Sequence, residues 1–221
     1  MDITQEQAEE MKSRSIYEEL GITDDSADIK KRVNQDKKAA KKGDAHAQYC
    51  LAVRYETEAG VPCDVAKAAY WYEKAAEQGH AQAQYAIGDF YAQGTGVLQD
   101  LPVEDRQAKA VYWYTKAAEQ GNYYAQDALA VCYFNGTGVR KNKAKAVHWW
   151  TKAAEEGITT AQSNLGACYA NGTGVPIDKK KAAYWWTKAA EQYDEQAIEG
   201  LKLLKNKTMP KKKSVTKTKN C

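Results

Sequence analysis

The chain has 221 residues, 43% of them hydrophobic, enough for one domain or one short helical array with a packed interior. No apolar run approaches the roughly 18 to 20 residues that cross a bilayer, and five scattered cysteines are not the even, regularly spaced set of a disulfide framework. The net charge of +3 hides an asymmetry: residues 200–221 carry eight lysines and no acid, leaving 24 basic and 29 acidic residues in the body, which argues against a folded nucleic-acid reader.

In chain order, Asp2, Glu6, Glu9 and Glu10 open the sequence without the basic start and apolar core of a secretory signal, so a cytoplasmic location is expected. Thr4 with Gln7 fits a capping box for a helix to about Leu20, stopped by Gly21, which makes 1–27 an N-terminal helical extension. Residues 28–42 end in Lys38-Ala39-Ala40-Lys41-Lys42 before Gly43. That ending matches the close of the units that follow, so 28–42 is expected to be a capping helix.

Four units follow: 43–78, 79–120, 121–156 and 157–192, of 36, 42, 36 and 36 residues. A fixed period in this range is the signature of a repeat architecture. Each first half carries an alanine (Ala47, Ala83, Ala125, Ala161), Leu or Ile four residues on (Leu51, Ile87, Leu129, Leu165), then a tyrosine after four more (Tyr55, Tyr91, Tyr133, Tyr169). That spacing lies along one helix face and cannot belong to a strand. The next residue after the Leu or Ile is small (Ala52, Gly88, Ala130, Gly166), which lets a neighbouring helix approach. Turns such as Asn135-Gly136-Thr137-Gly138 and Asn171-Gly172-Thr173-Gly174 stop the first helix. A second helix begins near Asp64 or Asp178, acids suited to a helix start. It bears Trp71, Trp113, Trp149 and Trp185 at one repeat position, and these indoles are expected in the core. The longer second unit is expected to loop out around Leu98–Arg106, at Pro102. Ala197 and Leu201 predict a capping half-unit over 193–204, and lysine-rich 205–221 is expected to be a disordered basic tail, too poor in apolar residues to pack. It serves either as a solubilising tail or as a weak attraction for anionic surfaces.

The recurring Ala-Gln-x-x-Leu-Gly-x-x-Tyr, Gly-Thr-Gly-Val and Lys-Ala-x-x-Trp-Trp-x-Lys-Ala-Ala-Glu-Gln patterns resemble the Sel-one-like repeat (SLR) family over 43–192. The resemblance implies an all-α fold: a right-handed α-solenoid, or superhelix, of antiparallel helix pairs similar to the tetratricopeptide fold. It also implies an adaptor that gathers other proteins. In that geometry the first helices line a concave groove, and the positions opposite the Ala-Leu-Tyr stripe face it. The expected partner-binding residues are His46, Tyr49, Glu56, Gln82, Tyr85, Asp89, Tyr124, Asp127 and Phe134, with Val53, Ala92, Val131, Thr160, Ser163, Ala167 and Ala170 in the same registers. Aromatic anchors ringed by acids suit a protein or peptide with apolar and basic side chains; the alternative is that these tyrosines only cover a solvated helix face.

No catalytic residues, cofactor or metal site are expected. A cysteine-rich branch of the family is associated with β-lactam binding or hydrolysis, but its regular disulfides have no counterpart here and no Ser-x-x-Lys motif stands beside a base. His46 and Cys50, one helical turn apart, supply at most two metal ligands where four are needed. Three functions stay open: a non-catalytic scaffold or adaptor, an inhibitor or immunity protein against a secreted toxin or enzyme, and a hydrolase. The first is the expectation.

Overall fold

The computed structural model describes residues 26–95, 98 and 100–208. The helix expected over Thr4–Leu20 and tail residues 209–221 lie outside the described residues. Within them stand ten helices and no strand: α1 Ser26–Lys41, α2 Ala45–Thr57, α3 Val65–Glu77, α4 Ala81–Gln93, α5 Val103–Glu119, α6 Tyr123–Asn135, α7 Lys143–Glu155, α8 Thr159–Asn171, α9 Lys179–Ala190 and α10 Glu195–Thr208. None of these helices is long and apolar enough to cross a membrane. The chain divides into two compact units at Lys141 and Asn142. In the first, α1 to α5 each pack on the helix that follows; in the second, α7 to α9 do the same. Short turns between contacting neighbours make each pair antiparallel.

Side chains set the helix ends. Asp44 and Asn122 accept the backbone N–H of Ala47 and Ala125 at 2.7 and 2.8 Å, and Asp64 accepts that of Lys67 at 2.9 Å. Asp178 caps α9 in the same way. Gly174 shows why the Gly-Thr-Gly turns need their last glycine: φ is +75°, and a Cβ there would lie 2.4 Å from the Lys143 carbonyl oxygen. The insertion in the second repeat, 79–120, corrects the expectation of a loop over Leu98–Arg106. Pro102 stands at the N-cap of α5, and Val103–Arg106 form its first turn, so α5 has 17 residues where α3 has 13. Proline's fixed φ and the acids Glu104 and Asp105 favour that added turn.

The Ala-Leu-Tyr stripe faces inward. Ala47, Leu51, Ala83, Ile87, Ala125, Leu129, Ala161 and Leu165 are buried; so is Tyr91, while Tyr55, Tyr133 and Tyr169 are half-buried. The small residues after it do let the second helix in: a Cβ on Gly88 would sit 2.7 Å from the Tyr114 ring, and one on Gly166 2.5 Å from the Trp186 ring. The tryptophan assignment needs correction. Trp71, Trp113, Trp149 and Trp185 are half-buried, and the next residue is the deep aromatic: Tyr72 at 2% exposure, Tyr114 at 4%, Trp150 at 2% and Trp186 at 9%. In α3 the buried alanines 68, 69, 75 and 76 centre the inward face on residue 72, which leaves residue 71 at its edge. There Trp71 packs beside the Ala40–Ala47–Leu51 cluster and meets the exposed Tyr70 edge to face, 5.0 Å between centroids.

A buried amide links each first helix to its predecessor. Gln48, Gln84, Gln126 and Gln162 donate Nε2–H to the carbonyls of Ala40, Ala76, Ala118 and Ala154 at 3.0 to 3.2 Å. Gln78, Gln120 and Gln192 donate in turn to Oε1 of Gln48, Gln84 and Gln162. These bonds satisfy last-turn carbonyls that a helix leaves open. At one end Ala40 of α1 supplies the same carbonyl, and buried Arg54 of α2 donates Nε–H to Asp36 at 2.7 Å. At the other, Asp194 caps α10 through Ala197 N–H at 2.7 Å, and Gly200 lies against Trp186. The helix α10 runs to Thr208, so Lys205–Thr208 are helical where a structureless tail was expected. Leucines and lysines are good helix formers, and the turn that carries Leu204 onto the Trp186 cluster propagates through them.

Candidate functional site

In the first unit, α2, α4 and α6 present a face whose charge is one-sided. Their sequences contain no lysine and a single arginine, Arg54, which is turned away to Asp36; their acids are Glu56, Asp89 and Asp127. The second helices carry the lysines instead, Lys67 and Lys74 on α3, Lys109 and Lys116 on α5.

Two aromatic groups stand on this face. Tyr49 stacks on His80 with centroids 4.6 Å apart, and His46 stacks on the same imidazole at 5.7 Å. Tyr49 also meets Tyr72 at 5.9 Å, and Tyr72 meets Phe90 edge to face at 5.5 Å. In the other group Tyr85 stacks on Tyr124 at 5.8 Å and leans on Tyr114 at 6.1 Å. Each group holds a carboxylate. The Tyr72 hydroxyl donates to Glu56 Oε2 at 2.5 Å, and the Tyr114 hydroxyl donates to Asp89 Oδ1 at 2.6 Å. Tyr85 lies close enough to Asp89 to act on its carboxyl as well. Burial pushes both carboxyls above their ordinary range, although the tyrosine hydrogen bonds pull the other way. Burial, with the carboxylate beside each ring, pushes the Tyr85 and Tyr114 hydroxyls well up, so they remain protonated donors.

The expected residues are therefore gathered unevenly. His46 and Tyr49 meet, as do Tyr85, Asp89 and Tyr124; Asp127 lies near enough to act on the Tyr85 hydroxyl electrostatically. Gln82 is exposed at the start of α4, and Phe134 lies half-buried two turns beyond Asp127. Val53 is buried rather than open, because α2 is flanked by both α1 and α3. In the second unit Ser163 is also buried, donating its hydroxyl to Asp194 at 2.8 Å. Ala170 lines a cleft of about 560 Å³ between α8, α9 and α10, floored by Trp186 with Leu203 and Leu204 on its wall.

Sequence reasoning missed Tyr72, Tyr114 and His80. The first two reach the face from the second helices. A signal was present: their register holds Trp150 and Trp186 in later units, and a tyrosine in so buried a position needs a partner for its hydroxyl. In the second unit the equivalent contact is indole N–H to backbone, from Trp186 Nε1 to the Ser163 carbonyl at 3.1 Å.

His80 is the N-cap of α4, where its Nδ1 accepts the Ala83 N–H at 3.3 Å. Burial foremost, then neighbouring His46, depress its pKa, while Asp44 acts in the opposite sense. The unfolded chain thus takes up this proton at higher pH than the folded one. The stability due to neutral His80 is complete above about pH 6.5 and is lost as pH falls through and below that value. Thermal midpoints measured from pH 7.5 to 5.5 are expected to fall more steeply for the native protein than for His80→Asn, since asparagine keeps the cap, as Asn122 does. Equal slopes would remove His80 as the source.

Cys50, Cys63, Cys132 and Cys168 are free thiols, and burial pushes those of Cys132 and Cys168 up to about 11. Cys50 Sγ lies 3.5 Å from His46 Nε2. No group of three or more His, Cys, Asp or Glu able to hold a metal stands among the described residues.

Antiparallel helix pairs of one repeated pattern, joined by buried amides and carrying a face of variable residues, define a helical-repeat protein. The Sel1 repeat model matches residues 45–80, 81–122, 124–158 and 159–194, and the chain belongs to that family. It is similar to the crystal structure of c5321, described as a protective antigen of uropathogenic Escherichia coli displaying an SLR fold, with 38% identity and a TM-score of 0.72. The alignment covers 79% of this chain and 36% of that one. A Sel1 repeat protein from Oxalobacter formigenes is also 38% identical, with a TM-score of 0.70, over 80% of this chain and 50% of the other. The chain thus spans between a third and a half of the length of these two structures. No curated protein matches it significantly. The all-α fold is that of an SLR solenoid.

Proposed function

We propose that this chain is a non-catalytic scaffold that holds a partner protein on the first-helix face formed by α2, α4 and α6. The observation behind this reading is the pair of tyrosine-bound carboxylates, Glu56 and Asp89, among stacked aromatics on a face that carries no outward lysine or arginine. Aromatic surface at low entropic cost and uncompensated charge together suit a protein segment with apolar and basic side chains. In this reading 43–78, 79–120, 121–156 and 157–192 are the repeats, with 28–42 and 193–204 as end caps. The partner set is His46, Tyr49, Glu56, Gln82, Tyr85, Asp89, Tyr124, Asp127 and Phe134. A cytoplasmic location fits the free thiols of the described cysteines.

Affinity capture with the native protein beside a Tyr85→Ala, Asp89→Lys double variant tests the reading. The double variant is expected to keep its helical circular dichroism and lose the captured partner. Capture of identical partners by both proteins would mean that this face is not the binding surface.

A further inference from the structure

We infer that Asp89, with Tyr85, Tyr114 and Tyr124, forms a subsite for one arginine side chain of the partner. The inference rests on the scaffold reading above and deepens it.

The geometry selects a planar cation. Tyr85 and Tyr124 stack on each other, 27° between planes with centroids 5.8 Å apart, so a cation meets the outer face of Tyr124, 47% exposed, while buried Tyr114 holds the Asp89 carboxylate from behind. A guanidinium stacks on such ring faces and offers paired N–H donors, whereas an ammonium is a compact point charge with stronger hydration. The carboxylate of Asp89 has capacity left: the Tyr114 hydroxyl occupies part of an acceptor with about four lone-pair sites. None of the ion pairs found among the described residues involves Asp89 or Glu56.

The arrangement also costs stability. A carboxyl whose folded pKa lies above its unfolded value contributes most below the unfolded pKa, and that contribution is lost as pH rises through the folded value. At neutral pH the free protein therefore carries a desolvated anion that an arriving guanidinium would neutralise. Packing alone has no use for it: asparagine would keep an acceptor for the tyrosines without the charge.

Three measurements test the subsite. N-acetyl-arginine methylamide, titrated at low ionic strength into protein with labelled tyrosines, is expected to shift the ring signals of Tyr85, Tyr114 and Tyr124 saturably. The glutamine analogue should not do so, and Asp89→Asn should weaken the arginine response at least tenfold. The urea midpoint of Asp89→Asn at pH 7 should equal or exceed that of the native protein. Equal shifts from the glutamine analogue, or an unaltered arginine response in Asp89→Asn, would overturn the subsite. Partner capture separates the two levels: capture abolished by Tyr85→Ala, Asp89→Lys but untouched by Asp89→Asn overturns the subsite and leaves the scaffold standing. Capture indifferent to both overturns the scaffold reading itself.

Discussion

Arg54→Ala is expected to destabilise the protein by about 3 kcal/mol, the lower end of the cost of breaking a buried ion pair, because Arg54 is buried and Asp36 half-buried. Arg54 is 1% exposed, with Nε 2.7 Å from Asp36 and Nη1 bonded to the Ala59 carbonyl at 3.2 Å. One side chain therefore ties α1 to α2 and holds the turn after α2, where Glu58 sits in the left-handed region at φ 58°. Its removal leaves Asp36 without its cation and the Ala59 carbonyl without its donor. The Asp36→Leu, Arg54→Met double variant is expected to recover most of the loss, since a matched apolar pair leaves no orphaned charge. Urea denaturation of the native, single and double variants reads the effect. A single variant with the native midpoint would show that α1 is not held through this pair.

The second large effect separates two adjacent tryptophans. Trp186→Ala is expected to cost about 3–5 kcal/mol, and Trp185→Ala less than half of that. Trp186 lies between Gly166 and Gly200, each so close that an added Cβ would overlap the indole, and its N–H is bonded to the Ser163 carbonyl. Alanine there opens a cavity that α8 and α10 can close only by moving, and it removes the indole bond to α8. Trp185 is half-buried and meets exposed Tyr184 edge to face, 4.9 Å between centroids, so its removal sheds surface contacts alone. Hydrogen exchange of α8 and α10 amides should rise with the first substitution far more than with the second, because stability in stacked repeats is largely a sum of neighbour contacts. Equal losses from the two would return the inward position to Trp185.

Much of the fold is legible without coordinates. Four copies of one pattern place Ala47, Leu51 and Tyr55 and their counterparts on a single helical stripe, and period alone separates that stripe from a strand. Asp64 and Asp178 read as caps because an aspartate before an apolar-periodic run accepts the N–H groups that a helix start leaves unpaired. The site is legible in part. Tyr49, Tyr85 and Asp89 emerge as residues opposite the stripe, yet that rule also selects Val53 and Ser163, which are buried.

What the amino-acid order determined here is the set of interactions reached within one helical turn or one repeat period: helix, cap, turn and stripe. Tertiary structure decided what two neighbouring aromatics meet: Tyr72, at the centre of the alanine face, bonds Glu56, while Trp71, at its edge, packs beside the Ala40–Ala47–Leu51 cluster. It also decided that Tyr72 and Tyr114 reach Glu56 and Asp89 across 16 and 25 residues of chain. Helical periodicity describes one cylinder at a time; a hydroxyl crossing from one cylinder to a carboxylate on another depends on their separation and rotation, which no single helix encodes.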